Sequence, residues 1–173
     1  IKLIKPEPFI YSTSLIILVI GILGTLGHFV YDWSGQAKIL GYFFATNEST
    51  WEHLKLLFFP TIIYSLFEFK FSKEKFPNYA GAVTISLIFG LLSIITLFYT
   101  YSGVLGFTVD FINIAIFYIS LVIMLIVKNK ILKSGKFSNN NLLYVFICFV
   151  ITLLFIFFTY NPPQIALFQE PKI

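Results

Sequence analysis

A chain of 173 residues that is 58% hydrophobic, 20% aromatic and only 12% charged, with a mean hydropathy of +0.88, lies far outside the range of soluble domains and reads as an integral membrane protein. Its net charge of +4 does not point to nucleic acid, because the lysines fall in short stretches between apolar runs rather than on one basic face. The sole cysteine, Cys148, excludes an internal disulfide, a Cys-rich metal site and dithiol redox chemistry. The cations are all Lys with no Arg, and Ile, Phe and Asn abound, which resembles the codon bias of an AT-rich genome and gives the expectation of a bacterial source.

In chain order, Lys2, Lys5, Pro6 and Pro8 precede an apolar run over about 9–30, long enough to cross ~30 Å of hydrocarbon. This run is longer than a signal peptide's apolar region and reads as an uncleaved helix. Gly21, Gly24 and Gly27 recur at helical spacing and permit close approach of a neighbouring helix. His28 falls on that face and is expected to point into the bundle. Tyr31 to Thr46 reads as a loop or short interfacial helix, with Trp33, Tyr42, Phe43 and Phe44 suited to the membrane interface.

The stretch Asn47-Glu48-Ser49-Thr50-Trp51-Glu52-His53-Leu54-Lys55 opens a second span over about 49–69, with Ser49 and Glu52 at the spacing of a capping box and Glu52 and Lys55 at ion-pairing distance along a helix. Pro60 frees the carbonyl of Leu56 and is expected to kink this helix. Third, fourth and fifth spans follow over about 79–99, 104–127 and 141–160, with a turn at Tyr101-Ser102-Gly103. The expected fold is an all-α membrane bundle of five transmembrane helices in one domain, inserted in the cell membrane as a multi-pass protein. A second span that is instead re-entrant would leave four crossings.

Nine lysines, Lys2, Lys5, Lys70, Lys73, Lys75, Lys128, Lys130, Lys133 and Lys136, fall on one side in the five-span arrangement, against Lys38 and Lys172 on the other. The positive-inside rule then places the N-terminus in the cytoplasm and the C-terminus outside. In that arrangement His28, Asp32, Glu48, Glu52, His53, Asp110, Asn113 and Asn161 all lie in the outer half. Asp110 is expected about 9 Å below the outer end of the fourth helix, with Asn113 a turn deeper.

Two imidazoles with carboxylates suit a divalent ion such as zinc with an open position for water, or metal-free proton transfer. The candidate catalytic residues are therefore His28, Glu48, Glu52, His53 and Asp110, and the candidate metal ligands His28, His53, Glu52 and Asp110. Adjacent Glu52 and His53 point ~100° apart on a helix and cannot both be central. Each also has a plainer role: Glu52 as cap and partner of Lys55, Glu48 as a favourable charge at a helix start, Asp32 and Trp33 as interface residues. Axial ligation of haem by the two histidines has no other feature in its favour.

The segments Gly27-His28-Phe29-Val30-Tyr31-Asp32-Trp33-Ser34, Asn47 to Lys55 (an Asn-Glu-Ser-x-Trp-Glu-His-x-Lys motif) and Asn161-Pro162-Pro163 resemble a family of small, uncharacterised bacterial multi-span membrane proteins. That resemblance implies a fold and no activity. The architecture is also similar to compact membrane enzymes that act on lipids or sterols with His and carboxylates in a helix bundle. The expectation is an enzyme acting on a lipid or other amphipathic molecule. The alternatives are a small-solute or proton-coupled transporter or binding protein, and an interaction subunit whose polar residues join helices. Membrane lipids are the expected partners.

Overall fold

The computed structural model describes residues 13–72 and 75–171. Six α-helices follow one another: α1 (Thr13–Trp33), the one-turn α2 (Lys38–Gly41), α3 (Thr50–Ser72), α4 (Tyr79–Leu105), α5 (Asp110–Ser134) and α6 (Asn141–Tyr160), then a 3-10 turn at Ala166–Phe168. No strand occurs among the described residues. α1, α4, α5 and α6 are long and apolar enough to cross a membrane. The start of the expected first span, at residues 9–12, and Lys2, Lys5, Lys73 and Lys172 lie outside the described residues.

The least apolar of the long helices is at the centre. More than half of the 23 residues of α3 are buried, whereas α6 buries only Phe155 and Thr159. A bilayer inverts the usual rule for outer faces, since apolar side chains can cover the perimeter while polar ones must find partners inside. α3 packs against α1 on one side and α4 on the other, and α4 pairs most extensively with α5. Between them Ile20, Leu57, Phe58, Leu87, Leu121, Met124 and Phe155 form a closed apolar core.

α3 runs the full height of the bundle. At the near end, which carries residues 34–49 and 106–109, Thr50 of α3 meets Tyr99 of α4. At the far end, Glu68 of α3 meets Tyr79 at the start of α4 and Lys128 late in α5. Its length, about 34 Å at 1.5 Å per residue, matches that of its neighbours, so α3 does not fold back on itself. Pro60 sits inside the continuous helix. A Cβ built on Gly24 of α1 would lie 2.6 Å from the Leu56 carbonyl oxygen that the proline leaves without its helical donor. The glycine thus lets α1 close on α3 one turn below His28.

Three helix ends lie more than one turn from their expected positions. α4 continues through Tyr101-Ser102-Gly103 to Leu105 and stops at Gly106, whose φ of +78° and N–H bond to the Ser102 carbonyl at 2.8 Å form a left-handed cap. The helix expected as the fourth span, α5, therefore starts at Asp110 rather than near Val104. α5 in turn extends to Ser134, so Lys128 lies within the helix and is 5% exposed. It is a core residue, not a loop signal.

Candidate functional site

The near end of α3 is built by local hydrogen bonds. Ser49 stands just before the helix, and its Oγ accepts the Glu52 N–H at 3.4 Å, half of the expected capping box. The other half is absent: the Ser49 N–H goes to Asn47 Oδ1 at 2.9 Å. The Glu52 carboxylate instead accepts both the backbone N–H and the hydroxyl of Thr46, each at 2.9 Å, and pairs with Lys55 at 2.5 Å. Lys55 also donates to the Gly41 carbonyl at 2.8 Å and to Thr159 of α6 at 3.0 Å. With Glu52 2% and Lys55 0% exposed, this is a fully satisfied buried ion pair. It joins the 41–49 connection, α3 and α6.

One residue further round the helix, His53 faces a different set. Its Nδ1–H donates to the Ser49 carbonyl at 2.9 Å. A carbonyl can only accept, so the neutral ring carries its lone pair on Nε2. That Nε2 is 3.3 Å from Nε2 of His28 and 3.4 Å from Oε2 of Glu48. The remaining edge, His28 Nε2 to Glu48 Oε2, is 3.6 Å. The three residues form the one group of potential metal ligands found among the described residues. The imidazoles are 31% and 28% exposed and the carboxylate 61%, so the cluster opens to its surroundings on one side. Phe29 packs on His28, and Trp33 stacks on Phe29.

These edge lengths bear on the metal the cluster suits. Two ligands bound at about 2.0–2.1 Å to a tetrahedral ion stand about 3.3–3.4 Å apart, whereas at octahedral right angles they stand about 2.9 Å apart. Two of the three edges, 3.3 and 3.4 Å, fall in the tetrahedral range and the third, 3.6 Å, is longer; the donor set, two His and a carboxylate, is one that zinc takes.

The structure brings together His28, His53 and Glu48 and separates the other candidates. Glu52, the expected carboxylate ligand, spends its oxygens on Thr46, Lys55 and Thr159. Asp110 lies in the first turn of α5, exposed, because α5 starts there; the buried depth expected for it disappears with the corrected boundary. Asn113 accepts a hydrogen bond from the Tyr101 hydroxyl, which in turn accepts the Val109 N–H. That pair fixes the α4–α5 connection. Asp32 is exposed, and Asn161 donates to the Phe157 carbonyl.

A second buried ion pair, Lys128 with Glu68, lies outside the candidate residues of the sequence. At the far end Lys128 pairs with Glu68, Tyr79 donates to the same carboxylate at 2.6 Å, and the Lys128 ammonium lies over the Tyr64 and Tyr79 rings. The available signal was Glu68 between Phe67 and Phe69, an ionisable residue in an apolar run that has to be matched by a buried cation.

The helices and the cluster together define a class, an all-α protein of membrane type with a His/carboxylate cluster at one end of its bundle. Within that class the chain belongs to the family of unknown function DUF6512, whose model matches residues 2–172. Neither a search of curated proteins nor one of solved structures finds a match.

Proposed function

We propose that the protein is a membrane-embedded enzyme in which His28, His53 and Glu48 hold a divalent ion, zinc by the nature of its donors, and act on a lipid or other amphipathic molecule. The observation that carries this reading is the triangle of Nε2, Nε2 and Oε2 with edges of 3.3, 3.4 and 3.6 Å. A zinc ion held by His28, His53 and Glu48 would supply Lewis-acid activation of water as a nucleophile. His28 is five residues from the end of α1, about 7.5 Å along the axis, a depth suited to the boundary between headgroups and acyl chains. Exposed Phe29 and Trp33 offer apolar surface beside it for a substrate's chain.

The transporter alternative is disfavoured by the packing between the two ends of α3. Leu57, Phe58, Leu121 and Met124 are each at most 1% exposed, and they fill the bundle where a polar path would have to run.

The reading includes five crossings of the cell membrane, with the near end outside. Lys70, Lys75, Lys130, Lys133 and Lys136 cluster at the far end while Lys38 is at the near end, which puts the far end in the cytoplasm. In a Cys148→Ser background, a cysteine at Gly103 is expected to react with an impermeant reagent on intact cells, and one at Ser134 only after lysis. Labelling of Ser134→Cys from outside removes this orientation.

Metal analysis tests the site itself. Purified protein is expected to carry about one equivalent of zinc, lost in His28→Ala and in His53→Ala. Zinc retained by both variants, or absent from the parent after reconstitution, overturns the proposal and leaves the cluster as a hydrogen-bonded joint between helices.

A further inference from the structure

Among the described residues, Glu48 pairs only with the two histidines, so its position there depends on the backbone that carries it. That backbone is held from the buried side. Thr46 gives both its N–H and its hydroxyl to Glu52, Asn47 caps the Ser49 N–H, and the Ser49 carbonyl then accepts the Nδ1–H of His53. Two of the three ligands thus trace back to one buried carboxylate. Lys55 compensates Glu52's charge, which removes Glu52 as a rival to Glu48 and explains why the anion facing the histidines is the exposed one. Thr159 accepts from Lys55 and lies 3.3 Å from Glu52 Oε1, so α6 shares the same network.

We infer that the buried Glu52–Lys55 pair is a positioning device for the histidine cluster: it sets the Glu48 carboxylate and the His53 tautomer through Thr46 and Ser49, and it links both to α6 through Thr159. The inference rests on the proposed metal site for its purpose but not for its geometry. Residues that orient ligands from behind typically change metal affinity 10–100-fold when removed. A pair serving only to join helices would alter stability and leave the ligands as they are.

The test uses the full-length protein in detergent, with three variants: Glu52→Leu combined with Lys55→Met, so that no lone charge is left buried; Thr46→Val, which removes one hydroxyl donor and keeps the backbone; and Thr159→Val. Cobalt(II) is titrated into each, followed by its visible absorption, with zinc as competitor. Nitrogen-15 spectra of the metal-free proteins report the histidine tautomers. The double variant is expected to bind cobalt 10–100-fold more weakly and Thr46→Val and Thr159→Val several-fold more weakly, while His53, held as the Nδ1–H tautomer in the parent, becomes a mixture in the double variant and in Thr46→Val. Unchanged cobalt affinity with an unchanged His53 tautomer overturns the inference. If the parent binds no cobalt, the metal reading is lost, and the tautomer spectra alone decide the positioning role. If the double variant does not fold, Thr46→Val decides by the same two readouts.

Discussion

The two ends of α3 use the same chemistry to different purposes. About 24 Å apart by helical rise, each has a buried Glu–Lys pair: Glu52 with Lys55 at the near end, Glu68 with Lys128 at the far end. At the far end the network closes on itself, since Glu68, Lys128 and Tyr79 satisfy one another inside the bundle. At the near end the buried pair is backed by a second layer, His28, His53 and Glu48, whose ligand atoms converge on a partly exposed point. A paired charge deep in the bundle is therefore not by itself a sign of function. What distinguishes a candidate site is a set of potential ligand atoms gathered at a partly exposed point.

The largest effect is expected at the closed end. Lys128→Met leaves Glu68 buried without a cation, and loss of one partner of such a pair costs about 3–5 kcal/mol. Thermal unfolding in detergent should show a large drop for Lys128→Met and recovery of most of it when Glu68→Gln is added. If the single variant is as stable as the parent, the far end is not sealed as the structure has it.

At the open end, His28→Ala should cost little in metal-free protein, because the ring is partly exposed and its partners remain solvated. With zinc at one hundred times its dissociation constant, the parent gains about 2.7 kcal/mol by mass action, a gain the variant lacks. Equal stabilisation of both by zinc would place the ion elsewhere.

Between the ends, Gly24→Ala sets a methyl against the Leu56 carbonyl oxygen, 2.6 Å away. Backbone cannot yield as a side chain does, so α1 must shift, at a cost of about 1–3 kcal/mol. His28 is one turn further along α1, and metal affinity should fall with stability. A loss of stability with intact affinity would separate the helix contact from the site.

The smallest effect is expected for Asp110→Asn, an exposed residue whose contribution is that of a negative charge at a helix start, about 0.3–1 kcal/mol. Combined with His28→Ala it should be additive within about 0.5 kcal/mol. Coupling above that range would return Asp110 to the site.

Composition and the spacing of apolar runs were enough to read the all-α class, the membrane-type helices and the 141–160 helix, because a chain this apolar has few ways to satisfy its backbone in lipid. The Gly21-Gly24-Gly27 face and the pairing of Glu52 with Lys55 were legible too, since both follow from helical periodicity. The end of α4 was not, because a left-handed cap at Gly106 and a turn at Gly103 look alike as isolated glycines. That one boundary moved Asp110 from depth to surface. Nor could the sequence divide Glu48 from Glu52. Helical geometry shows that Glu52 and His53 diverge, but which carboxylate meets the histidines depends on where Thr46, Lys55 and Thr159 lie in space, and Thr159 is more than a hundred residues away along the chain. Local spacing determined which residues could ionise near this end of the bundle. Only tertiary packing decided which of them are consumed by partners and which are left facing one another, because hydrogen-bond satisfaction is a property of the assembled interior.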